Sequence, residues 1–148
     1  MGPRYFSTLS VPAAIDYIRP TATFLVEAAR KLRLDAASKS LFEVAVVEVL
    51  TNAVVHGSSG RPDEVVRCEL EVTDAAFIVR VFDPGSGFDL AKISPPDPDR
   101  SRVEAMPETG YGLMVVRSMF PGVQTIWQGG CFGVELTLPL DTPTVSGT

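Results

Sequence analysis

The sequence predicts an α+β fold, a two-layer α/β sandwich with helices on one face of a mixed, mostly antiparallel sheet. Three observations carry this reading. The chain reads in the order strand, two helices, hairpin, loop, helix, hairpin, without an internal repeat. The stretch from Asp35 to His56 contains neither Gly nor Pro, and an uninterrupted segment of more than about 20 residues is too long for a strand. Two tight connections, Thr73–Ala75 and Gly129–Gly130, each separate a pair of apolar, strand-like runs. With 148 residues and no linker, the chain is expected to form a single domain over 1–148, with an ordered core of about 4–140.

The elements follow in order. Arg4 to Val11 reads as a first strand. Pro12 to Leu34 has helical spacing, apolar at Ile15, Ile18, Phe24, Leu25, Ala28, Ala29 and Leu32, and Pro20 belongs in its first turns, so the long helix should start after Arg19. Asp35 reads as the cap of a second helix. Glu64–Val72 and Ala76–Phe82 form the first hairpin, and "DPGSGF" follows directly. The segment Asp89–Thr109 holds Pro95, Pro96, Pro98 and Pro107 and little periodicity, and loops of that length are usually functional or disordered. "GYG" then opens a helix over Leu113–Phe120, Gln124–Gln128 and Phe132–Leu138 close the sheet, and the tail 141–148 should fray.

Composition narrows the classes. The chain is 45% hydrophobic and 21% charged, with a net charge of −5 and a pI near 4.8, which argues against a broad nucleic-acid or anionic-membrane surface. No apolar run approaches the roughly 20 residues of a membrane span, and no signal peptide is visible. Cys68 and Cys131 lack metal-ligand spacing and read as reduced packing residues of a cytoplasmic protein, with a disulfide left open.

The second helix carries the chemistry. Eleven of the fifteen residues Leu41–Val55 are apolar and surround the helix almost completely. Glu48, Asn52 and His56 recur at i, i+4 and i+8, one stripe along the axis. Burying a carboxylate costs several kcal/mol without compensating donors, of order 2–7 for even a neutral polar group, so such a stripe should face a cleft, a ligand or a metal. The alternative is a solvated stripe with Val44, Val47 and Val55 half exposed. His56 has a simpler reading too, as a cap on the last helical carbonyls. Downstream, Asp83 stands where an apolar strand stops, and Gly85 and Gly87 allow a sharp turn close to a ligand. That carboxylate could accept from a purine amino group, or the motif is an ordinary Pro-Gly turn. Gly110 and Gly112 precede a helix whose first amides and dipole suit phosphate, although a lone GxG is more often a turn.

Taken together, "EVLTN" at Glu48–Asn52, "DPGSGF" at Asp83–Phe88 and "GYGL" at Gly110–Leu113 resemble the Bergerat ATP-binding fold of histidine-kinase-like ATPases. The extended motif "VEVLTNAVVHG" is similar to the anti-sigma factor serine kinases of the RsbW and SpoIIAB type, over about Tyr5 to Leu140. The resemblance implies ATP and Mg²⁺ as cofactors. It makes Asn52 the Mg²⁺ ligand and a nucleotide contact, and Glu48 the general base. Asp83 becomes the acceptor for the adenine amino group, shaped by Gly85 and Gly87, while Gly110 and Gly112 contact phosphate and 89–109 forms an ATP lid. Lys92, Arg100 and Arg102 would lie in that lid, and Arg19 aligns loosely with a partner-contacting arginine. The implied partners are a sigma factor, a STAS-type anti-anti-sigma substrate and a second copy in a homodimer, with no direct nucleic acid or membrane. One departure stands out. Where relatives place a Thr beside adenine, "GGCFGVEL" offers only Cys131 or Phe132, depending on register.

Two other functions stay open on sequence. One is a nucleotide-gated binding module without kinase activity, since binding needs the same pocket. The other is a detached histidine-kinase catalytic domain, although this chain's single histidine is His56 and no dimerisation helix pair is visible.

Overall fold

A computed structural model describes residues 5–30, 36–90 and 111–140 of the chain. The elements are β1 (Tyr5–Pro12), a 3₁₀ turn (Ile15–Tyr17), α1 (Ile18–Arg30), α2 (Ala36–Asn52) and a π-helical turn (Ala53–Gly57). Then come β2 (Val65–Val72), β3 (Ala76–Asp83), α3 (Tyr111–Met119), β4 (Gln124–Gln128) and β5 (Cys131–Pro139). The five strands form one sheet in the order β1-β2-β3-β5-β4. All four pairings are antiparallel, so the sheet is more uniform than the mixed one expected. Residues 91–110, which take in most of the segment 89–109 expected to form a lid, and the tail 141–148 lie outside the described residues.

Period-two alternation sorts each strand between two faces. Val66, Cys68 and Leu70 of β2, Phe77, Val79 and Val81 of β3, and Phe132, Val134 and Leu136 of β5 are buried in one core with the helices. Phe42 of α2 meets Phe77 edge-on, with ring centroids 5.1 Å apart. At about 25 cal/mol per Å² of buried apolar area, such aromatic pairs dominate the layer contact. The helix α2 lies between α1 and α3. That placement explains why its sequence is apolar nearly all round, and why Lys39–Gly57 matches a membrane span in length and hydropathy (19 residues, mean 1.3) although no apolar run looked that long.

Packing sorts the apolar positions whose spacing marks the first helix: Ile15 and Phe24 are 70% and 45% exposed, while Ile18, Leu25 and Ala29 are buried. The helix begins at Ile18, with Pro20 tolerated in its first turn, where its missing N–H has no intrahelical role. Val44 and Val55 are also exposed and Val47 is half-buried, so α2 is covered on fewer sides than its composition suggests. The two cysteines are free: Cys68 faces the helical core, Cys131 the opposite face, and burial pushes the Cys68 thiol up to about 12.

Candidate functional site

The site grows from the end of α2. Glu48 and Asn52 stand one helical turn apart on a common face, both half-buried, and neither makes a side-chain hydrogen bond to the described residues. At i and i+4 their Cβ atoms are neighbours about 5–6 Å apart. The stripe does not continue to His56. After Asn52 the backbone widens into the π-helical turn, closed by Ser58 N–H donating to the Ala53 carbonyl at 2.9 Å. The wider turn carries His56 off the line of Glu48 and Asn52, and its side chain is exposed.

That turn delivers Gly57 to Asp83. A Cβ on Gly57 would collide with the Asp83 carboxyl group, and one on Gly85 would lie 2.5 Å from the Gly57 carbonyl oxygen. Asp83, the last residue of β3, is 4% exposed, and its Oδ1 accepts from Gly85 N–H at 2.8 Å. Burial raises its pKa above the usual aspartate value, while the Gly85 amide opposes the rise. Gly87 follows at φ +79°, against the Phe132 ring, where a Cβ would come within 2.5 Å. The sheet register places Asp83 directly opposite Phe132 and Phe132 opposite Trp127, so the three share a row on the helix-side face. Phe132 also meets Phe88 and Trp127 edge-on at 4.9 and 5.4 Å.

The register settles which residue takes the position beside Asp83. It is Phe132, and Cys131 points to the other face. The base end of the cradle is therefore an aromatic wall without a hydroxyl on β5. Sequence reading left Phe132 open against Cys131 and gave Gly57 no role in the site, because its contact with a residue 26 positions later has no local signal.

Three glycines without Cβ atoms let the backbone close on Asp83 and Phe132, and the buried carboxylate is an acceptor of the kind an amino group requires. Among the described residues no cluster of three or more His, Cys, Asp or Glu could cage a metal. Asn52 offers an amide oxygen, a single protein donor of the kind that Mg²⁺ accepts where phosphates and water complete its shell. Gly112 lies in the first turn of α3, which packs on α2, and Arg117 of α3 donates to the Leu90 carbonyl at 3.1 Å, bringing both ends of the intervening segment to this side.

Comparison with known proteins bears on the family and the fold. A family model described as histidine kinase-like ATPase domain matches residues 11–137. The serine-protein kinase RsbW of Listeria monocytogenes is 28% identical over 127 residues, 83% of this chain and 80% of that protein. An anti-sigma F factor of Clostridium botulinum is 29% identical over 86 residues, 55% of this chain and 56% of the relative. The fold matches a crystal structure of RsbU and RsbW domains from Mycobacterium tuberculosis with a TM-score of 0.60 at 19% identity, covering 93% of this chain and 33% of that one.

Proposed function

The chain belongs to the histidine kinase-like ATPase domain family, and from that premise we propose that it is an ATP- and Mg²⁺-dependent protein serine kinase. In this reading it works as an anti-sigma factor in a partner switch and phosphorylates a STAS-type anti-anti-sigma protein. The observation that carries the proposal is the pairing of Glu48, without a side-chain partner among the described residues, with Asn52 one turn away, on the helix that leads through Gly57 to Asp83.

Each residue then has a task. Asp83 accepts from the adenine amino group, with Gly85 and Gly87 keeping the backbone close to the ring. Asn52 would hold Mg²⁺ through its amide oxygen, and the ion would supply charge neutralisation for the phosphates. Gly110 and Gly112, before and within the first turn of α3, contact phosphate through backbone N–H groups. Glu48 accepts the proton of the substrate serine as its oxygen attacks the γ-phosphorus and the bond to the β-phosphate oxygen breaks, leaving ADP. A carboxylate without an ion-pair partner among the described residues is suited to that role. The sigma factor, and a second copy of the chain, are the further partners this reading carries.

The test is capture of partners by the protein loaded with Mg²⁺ and a non-hydrolysable ATP analogue, followed by radiolabelled phosphoryl transfer to the captured STAS-type protein. Glu48→Gln should keep nucleotide affinity and lose at least about 100-fold in transfer, the usual scale for a general base. Transfer at the wild-type rate would remove Glu48 from the mechanism. Tight ATP binding with no transfer by the wild type would leave a nucleotide-gated binding module.

A further inference from the structure

Ser58 takes no part in the mechanism above. Its Oγ is the one buried side-chain polar atom without a hydrogen-bond partner among the described residues, and the residue is only 3% exposed. Buried hydroxyls are rarely left unpaired, because they give up their bonds to water on folding. The local backbone does not supply a partner. Ser58 N–H closes the π-turn on Ala53, and the Val54 carbonyl, one turn back, is engaged by Gly60 N–H at 2.9 Å.

The tertiary surroundings offer one. The π-turn that Ser58 follows packs on the sheet against β3, whose last residue is Asp83, and Gly57 touches the Asp83 carboxylate. Among the described residues that carboxylate has one donor, Gly85 N–H, although an ionised carboxylate has about four acceptor sites. An unpaired donor and an under-supplied acceptor thus flank a single glycine.

We propose that Ser58 is a positioning residue for Asp83, its hydroxyl holding a buried water that donates to the carboxylate and keeps it an acceptor toward the nucleobase. A buried water needs polar partners, and Ser58 Oγ and the Asp83 carboxylate supply two on either side of Gly57. The proposal rests on the reading of Asp83 as the acceptor for an adenine amino group, and it has a consequence for specificity. An acceptor-only carboxylate matches that amino group but meets the carbonyl oxygen of hypoxanthine lone pair to lone pair. Without the supporting donor, the buried carboxyl takes up a proton more readily and donates to that oxygen, so discrimination falls.

The experiment measures calorimetric affinities for Mg²⁺-ATP and Mg²⁺-ITP with wild type, Ser58→Ala, Ser58→Thr and Asp83→Asn, each checked for folding by circular dichroism. Ser58→Ala should lower the ATP-to-ITP affinity ratio about tenfold, the scale of one hydrogen bond to a charged group, and Ser58→Thr should restore it. If the alanine variant does not fold, Ser58→Cys, a near-isostere with a weak donor, should show the same loss. An unchanged ratio, or an equal loss for both nucleotides, overturns the role of Ser58 and leaves the ATP reading standing. A wild type that binds no ATP overturns the reading on which it rests.

Discussion

The two faces of the sheet solve the same alternation in opposite ways. On the helix side, apolar residues from β2, β3 and β5 are buried under α1, α2 and α3, and Asp83 is the polar residue admitted at the margin. On the other face the side chains cover themselves. Arg80 of β3 reaches Glu135 at 2.7 Å, Glu71 at 2.8 Å and Glu69 at 3.5 Å, across three strands. Arg67 pairs with Glu69 at 2.7 Å and lays its guanidinium 4.3 Å from the Phe82 ring centroid. Phe82 is 1% exposed there, outside the main core, with Gly133 leaving the space its ring occupies. Burial on one face is achieved by another layer, and on the other by charges spread flat over a ring. The comparison teaches that the site's carboxylate is set apart by lacking such company. Glu69 has two arginines, whereas Asp83 has one amide.

This contrast can be broken in three ways, in decreasing order of effect. Phe77→Ala empties a fully buried ring site against Phe42 and should cost about 3–5 kcal/mol in denaturant unfolding. Arg80→Ala should cost less, about 1–3 kcal/mol, because its side chain keeps 19% exposure and water partly replaces it beside three carboxylates. Its loss should also grow smaller in high salt, which the Phe77 variant should not show.

The smallest effect has the opposite sign. The folded-state pKa of Asp83 is raised, so its contribution to stability is fully present below the ordinary aspartate value, about 3.9, and is lost as pH rises through the elevated one. Asp83→Asn removes that dependence. Thermal melts of the nucleotide-free protein should show the variant holding its stability where wild type declines, while ATP affinity falls. Parallel pH profiles for the two proteins would contradict a strained Asp83. A gain in stability with a loss of binding is the pattern of a residue kept for function.

Much of this was legible locally. Hairpin turns, the length of α2 and the spacing of Glu48 and Asn52 depend on neighbours in the chain, and the structure keeps all of them. The exposure of Ile15 and Phe24 was not legible, because helical periodicity marks an apolar position without saying whether a neighbouring layer reaches it. His56, read as the third member of the stripe or as a cap on the helix end, is exposed within a π-turn that an α-helical wheel does not anticipate.

By itself, then, the sequence determined the order of elements, the motif residues and the family resemblance, all of which are written in spacings of a few residues. Tertiary structure alone decided that Gly57 would lie on Asp83, that Phe132 rather than Cys131 would stand beside it, and that Ser58 would be buried without a local partner. The reason is that strand register and the packing of a helix end on a sheet are set by contacts between residues far apart in the chain. One step of register exchanges every side chain between the two faces.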